Sequence, residues 1–250
     1  MNEAESEMFY WLPRERSEAF SQAMQTMQAI YPIHFAADML ITFDRNMGFH
    51  NDAAFMRAFE AEASTDQERS LIWRQHVLCW CAKTALRRDG DFVECGVFHG
   101  FFSAVAARHL DFARVGKHWH LYDTFSGIPE DQLAPGQKNP DVFAPNLFEE
   151  CVKRFATYPN IHVHRGSVPA ILASGAPEKV AFLHLDMNSA DAEDGALRFF
   201  YERLVPGAMV LLDDYGWRAY REQKLVADEF MEEVGGHIME MPTGQGLFVR

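Results

Sequence analysis

The sequence predicts an α/β protein in which a doubly wound sheet of five parallel strands is closed by an antiparallel strand pair and preceded by a helical extension. Three observations lead to this reading. From residue 90 onward, short β-branched or apolar runs alternate with amphipathic helical segments, a pattern that implies right-handed crossovers between parallel strands. The last stretch reads strand, PTGQ turn, strand, so the final pair should be antiparallel. Before residue 90 the periodicity is helical throughout.

Helices are expected over 15–31, 52–63 and 65–88, the third carrying Leu71, Ile72, Val77, Leu78 and Trp80 on its apolar stripe. Thr65 followed three positions later by Glu68 resembles a capping box. Between the first two helices, HFAADMLITFDRNMGFHND reads as a loop whose aromatics either cover a pocket or form a satellite apolar cluster. The expected strands are DFVECG (91–96), HWHLYD (118–123), IHVHRG (161–166), VAFLHLD (180–186) and AMVLLDD (208–214), followed by the terminal GHIMEM and GLFVR. Helices are expected at 102–110, 146–157, 168–173, 190–204 and 221–234. The division is therefore a helical N-terminal extension or lid over 1–89 and a ligand-binding domain over 90–250.

A chain of 250 residues with 48% apolar side chains can build a large packed core. Its net charge of −13 opposes binding to phosphate backbones or anionic membranes, which need clustered Lys and Arg. Cys79, Cys81, Cys95 and Cys151 lie in apolar runs without zinc-site or disulfide spacing, and are expected to be reduced and buried. The first residues lack the basic start and apolar core of a signal peptide, and no run approaches the length of a membrane span. A cytoplasmic location is the expectation.

Ligands of open parallel sheets bind outside the carboxyl ends of the strands. That rim should be acidic here, because Glu94, Asp123, Asp186 and the adjacent Asp213 and Asp214 fall at strand ends. The first turn, ECGVFHGFFS, carries Gly96 and Gly100, with Phe98 where a dinucleotide fingerprint would place another glycine. Such a turn suits a ligand without a pyrophosphate, such as S-adenosylmethionine (SAM). Asp123 at the next strand end is placed to accept the two hydroxyls of an adenosine ribose, and Gly166 to Val168 to lie beside an adenine ring. Two adjacent carboxylates at the end of VLLDDYGW need a positive neighbour. If the fourth and fifth strands are adjacent, Asp186 joins Asp213 and Asp214 as a set of hard oxygen donors suited to Mg²⁺, with the Asn188 amide oxygen nearby.

DFVECGVFHG, LYDTFSGIPE, FLHLDMNSA, RLVPGAMVLLDDYGW, EQKLVADEF and PTGQGLFVR, in this order, resemble the macrocin O-methyltransferase (TylF/MycF-type) family of class I SAM-dependent methyltransferases. The resemblance implies a Rossmann-like class I methyltransferase sheet and Mg²⁺-dependent methylation of a sugar hydroxyl. It also implies that Glu94, Gly96 and Gly100, with Val97 and Ser103 of the same turn and helix, surround the methionine part of SAM. Asp123 would hold the ribose, Gly166 and Ser167 would flank the adenine, and Asp186, Asp213 and Asp214 would hold Mg²⁺. Asn188 stands where many members have a second acid, and His99 where the family often shows Arg. Asp186 and His99 are the candidate catalytic groups. The expected acceptor is a small molecule or glycan with a vicinal diol, without nucleic acid or membrane as partner, and an apolar N-terminal helix offers a homodimer contact. The rival readings are a NAD-dependent oxidoreductase and a non-catalytic SAM-binding or assembly module.

Overall fold

The computed structural model describes residues 12–133, 136–139 and 145–250. The chain divides into two compact units, Met1–His76 and Val77–Arg250. The periodicity in the sequence changes at Gly90, whereas the packing divides inside a helix, Ile72–Ala85, that belongs to both units.

The first unit contains α1 (Ser17–Ile30), β1 (Ile33–Ala37), β2 (Leu40–Phe43), a 3₁₀ turn (Gly48–Asn51), α2 (Ala53–Glu62), α3 (Asp66–Ser70) and the start of α4 (Ile72–Ala85). The expected loop over 34–52 is in fact an antiparallel hairpin followed by that turn. Its connection, Asp38–Met39, has φ of +50° and +58°, the conformation that two-residue hairpins usually assign to Asn-Gly. Without a glycine the turn signal is hidden. Asp38 is held there by a buried, bidentate pair with Arg74, Nε and Nη2 donating at 2.7 and 2.8 Å. The aromatics of the segment form an apolar cluster within the unit: Phe35 packs on Trp73 at 5.1 Å between ring centroids, and Phe49 on His76 at 4.9 Å. The Thr65–Glu68 capping box forms. The expected 65–88 helix breaks at Leu71, whose N–H closes a tight turn on the Glu68 carbonyl.

In the second unit, β3 (Asp91–Cys95), β4 (Trp119–Asp123), β5 (Ile161–Arg165), β6 (Val180–Leu185), β7 (Leu204–Leu212), β8 (Met239–Glu240) and β9 (Gly246–Val249) form one sheet in the order β5-β4-β3-β6-β7-β9-β8. The first five are mutually parallel and the last two antiparallel, as expected. Helices α5 (Phe101–His109), α6 (Leu147–Arg154), α7 (Ala190–Tyr201) and α8 (Arg221–Val234) connect them. One face buries Val93, Cys95, Leu183, Leu185, Val210 and Leu212 in a core with Ala196, Leu197, Phe200 and Phe230 of α7 and α8. The expected helix at 168–173 is a short 3₁₀ segment, Ala170–Ser174. Pro169 before it has no N–H to give, and Gly175 after it turns the chain at φ +148°. All four cysteines are buried free thiols, and burial pushes Cys81 and Cys151 up to about 12. Among the described residues no helix is long and apolar enough to cross a membrane.

The chain leaves β3 toward β4 on one side and returns through β6 on the other. The carboxyl ends of β3 and β6 are therefore the topological switch point, where such sheets open a crevice for ligands.

Candidate active site

Both sides of the switch point are set by close backbone packing. Asp186 N–H donates to the Cys95 carbonyl at 2.8 Å, and Asp213 N–H to the Leu185 carbonyl at 2.9 Å. Asp186 and Asp213 thus emerge side by side from β6 and β7, as the adjacency of those strands requires. Gly96 lies against Asp186 so tightly that a Cβ would stand 1.8 Å from the Asp186 carbonyl oxygen, and its φ is +86°. Only glycine fits. Gly100, at φ +75°, begins α5 under the Phe155 ring, which an added Cβ would meet at 2.7 Å.

Asp123 stabilises the turn between those glycines. Its Oδ2 accepts the N–H groups of Val97 and Phe98 at 2.6 and 2.8 Å, and its Oδ1 that of Phe125 at 2.6 Å. A carboxylate offers about four acceptor positions, so most of its capacity is used to shape the turn. The Gly166 N–H donates to the Asp123 carbonyl at 2.8 Å, which brings Gly166 and half-buried Ser167 to the same edge. His99 is half-buried in the turn, its ring against Phe98 and its carbonyl accepting from Arg154 Nη1 at 2.8 Å. Ser103 sits one turn into α5 and is fully buried, its hydroxyl without a hydrogen-bond partner. Asn188 adopts φ +55°, and its carbonyl accepts from Gln137 Nε2 at 2.8 Å. Tyr215 is buried, its hydroxyl donating to Asp228 and accepting from Lys224.

The positive neighbour demanded by the acidic rim is His184. His184 is fully buried between Glu94, whose Oε1 lies 3.0 Å from Nδ1, and Asp213, whose Oδ1 lies 3.7 Å from Nε2. Gln245 of the terminal turn donates to the same Asp213 oxygen at 2.8 Å. Burial opposes a charge on His184, but the Asp213 and Glu94 carboxylates outweigh it and lift its pKa to about 10. The two carboxylates thus favour the protonated ring under the rim. The signal was present in LHLD: strand alternation places His184 on the face of Asp186, opposite Glu94 in the β3–β6 register. Gln245 carried no such signal. The other Glu94 oxygen, Oε2, is buried without a hydrogen-bond partner, and burial raises this carboxyl although His184 pulls it back.

Asp214, also buried, acts on Glu193 of α7. Glu193 accepts from Gln223 Nε2 at 2.6 Å, and its pKa rises to about 8, first through burial and then through the charges of Asp214 and Asp213. Both His184 and Glu193 bind protons more tightly folded than unfolded. The contribution of His184 is complete below its unfolded pKa of about 6.5 and is lost as pH rises through about 10, and that of Glu193 is complete below about 4.5 and lost through about 8. The urea midpoint is accordingly expected to fall between pH 6 and pH 10. Glu193→Gln should flatten the part of the fall below pH 8, and identical pH profiles for the two proteins would contradict the assignment.

The model of the family described as "Macrocin-O-methyltransferase (TylF)" matches residues 74–235. The chain is 31% identical over 163 residues to 8-demethyl-8-(2,3-dimethoxy-alpha-L-rhamnosyl)-tetracenomycin-C 4'-O-methyltransferase of Streptomyces olivaceus. That alignment covers 58% of this chain and 61% of the relative, less than two thirds of its length. It is 27% identical over 177 residues to mycinamicin III 3''-O-methyltransferase of Micromonospora griseorubida, covering 61% and 69% of the two chains. In fold it is similar to the O-methyltransferase NovP, with a TM-score of 0.61 at 19% identity over 72% of this chain and 80% of that one. It is also similar to the calicheamicin methyltransferase CalS11, with a TM-score of 0.58 at 13% identity over 82% and 94%.

Proposed function

Because the chain belongs to the macrocin-O-methyltransferase (TylF) family, we propose that it transfers the methyl group of SAM to a sugar hydroxyl of a glycosylated natural product. The observation that carries this reading is the orphaned, buried Glu94 Oε2 beneath a turn that only glycine can form against Asp186. An ammonium such as that of the SAM methionine supplies the donor this oxygen lacks. Val97 and Gly100 complete the turn around the methionine, while fully buried Ser103 would act from behind it. The remaining capacity of Asp123 goes to the ribose, and Gly166 and Ser167 border the adenine. The curated relatives, one named for a rhamnosyl tetracenomycin and the other for mycinamicin III, support the choice of acceptor class.

Methyl transfer from a sulfonium is an in-line displacement, so alignment of the acceptor oxygen and removal of its proton are the main tasks. Well-oriented reactants reach effective molarities of about 10⁵ M or more. Asp186, half-buried at the switch point, is the proposed acceptor of the hydroxyl proton, and His99 in the turn is the alternative base. The donor set at the rim suits Mg²⁺ in kind: Asp186, Asp213 and Asp214 are hard oxygen ligands. Among the described residues no three acidic, cysteine or histidine side chains are arranged to hold a metal ion. Coordination by all three therefore requires rearrangement, including that of Asp213 from its contact with Gln245. When bound, Mg²⁺ would polarise and orient a vicinal diol. As part of the same reading we propose α1, none of whose described residues is buried, as the contact of a homodimer.

The test is transfer of labelled methyl from SAM to a panel of glycosylated acceptors, with and without chelator. Transfer to a sugar hydroxyl is expected, falling at least about tenfold after chelation and in Asp213→Asn. Equal turnover in all three cases would remove the metal. SAM binding without transfer to any acceptor would favour the non-catalytic module.

A further inference from the structure

Away from the switch point, histidines gather across the edge of the sheet. His118, just before β4, and His120 within it alternate with Trp119, His162 and His164 alternate along β5, and the register sets His120 opposite His162 and Tyr122 opposite His164. Period-two alternation puts the four imidazoles on one face. They are in contact: His118 Nδ1 lies 2.9 Å from His162 Nε2, and His120 Nδ1 3.2 Å from His164 Nε2. The His120, His164 and Tyr122 rings run nearly parallel, inclined by 11° and 14° between successive members. β5 is the outer strand, and a cleft of about 460 Å³ lined by Val152, Phe155, Tyr158, His162 and His164 opens beside it.

We propose that this histidine ladder is a binding site for a divalent first-row transition metal of the zinc, nickel or copper type, chelated across the strands by His120 Nδ1 and His164 Nε2. Two tetrahedral ligands at about 2.0–2.1 Å from an ion lie about 3.3 Å apart, and the observed 3.2 Å is close to that span. The ligand form of histidine is the neutral ring. Burial and the neighbouring His164 and His162 push His120 down to about 4, and burial lowers His162 and His164 as well, so at neutral pH the rings are in the neutral form. In the metal-free pair one ring donates its N–H to the other. On metal uptake that proton moves to the far nitrogen of its own ring, both facing nitrogens present lone pairs, and the net protonation of the pair is unchanged. A rotation about χ2 aims the lone pairs at a shared point. Since no three candidate ligands among the described residues are arranged to hold the ion, water completes the shell. Imidazole selects these metals over Mg²⁺, which prefers oxygen, so this site is chemically distinct from the carboxylate rim.

The test is calorimetric titration of the untagged chain with NiCl₂ and ZnCl₂ at neutral pH, alongside His164→Gln, His120→Gln/His164→Gln and, as a control for the rim, Asp213→Asn. The wild type and Asp213→Asn are expected to take up the ion alike, and the histidine variants to bind at least about tenfold more weakly. Should a variant misfold, Cu²⁺ added to wild-type chain labelled with ¹⁵N-histidine should broaden the ring signals of His120 and His164 before those of the other nine histidines, the chain holding 11 in all. No uptake, equal uptake by the histidine variants, or broadening that begins elsewhere would overturn the proposal.

Discussion

His184→Leu is expected to destabilise the second unit by about 3–5 kcal/mol at neutral pH, the range for removing one partner of a buried ion pair. Leucine fits the space, but it leaves Glu94 and Asp213, 2% exposed each, facing one another without the imidazolium between them. The loss should shrink as the pH falls and the raised Glu94 takes up a proton, and Glu94→Gln in the same background should recover part of it by removing one of the stranded charges. A loss below about 1 kcal/mol, or one that does not change with pH, would show that packing rather than charge explains the position of His184.

Gly96→Ala is expected to lower stability by about 3 kcal/mol or more, because the new Cβ combines left-handed backbone strain with a backbone collision. The obstacle is the Asp186 carbonyl at 1.8 Å, which cannot swing away as a side chain would. Relief has to separate the ends of β3 and β6, breaking the Asp186 N–H to Cys95 bond and pulling Val97 and Phe98 off Asp123. In a chain of this size the shift corresponds to roughly 6–12 °C in Tm. Gly48→Ala is the control, since an added Cβ there meets nothing within 4 Å, and its effect should stay below about 1 kcal/mol. Equal Tm values for the two variants would refute the close packing at the switch point.

The parallel sheet and its antiparallel finish were legible because each strand is a short apolar run bounded by a turn or helix signal, and alternation of strand and helix leaves few topologies. The acidic rim was legible for the same reason: once the strands are placed, their last residues share an edge. Sequence reasoning failed where local chemistry is unusual. The Asp38–Met39 turn uses left-handed residues without glycine or asparagine and is stabilised by Arg74, 36 positions away. The charge beneath Asp213 was missed because its partners, His184 and Gln245, reach it from two other strand regions. Composition and spacing report what a residue can do, whereas protonation depends on which groups the fold buries beside it. That is why Asp123 reads from sequence as a ligand group alone, although it also fastens the glycine turn.

The central claim, that the switch point is shaped for a sulfonium nucleoside and not for a dinucleotide, is tested most directly by calorimetric titration of the wild-type chain with SAM and, separately, with NADH. Saturable binding of SAM with no measurable heat from NADH is the predicted result, and Glu94→Gln should weaken the SAM isotherm. Binding of NADH in place of SAM, or of neither, would contradict it.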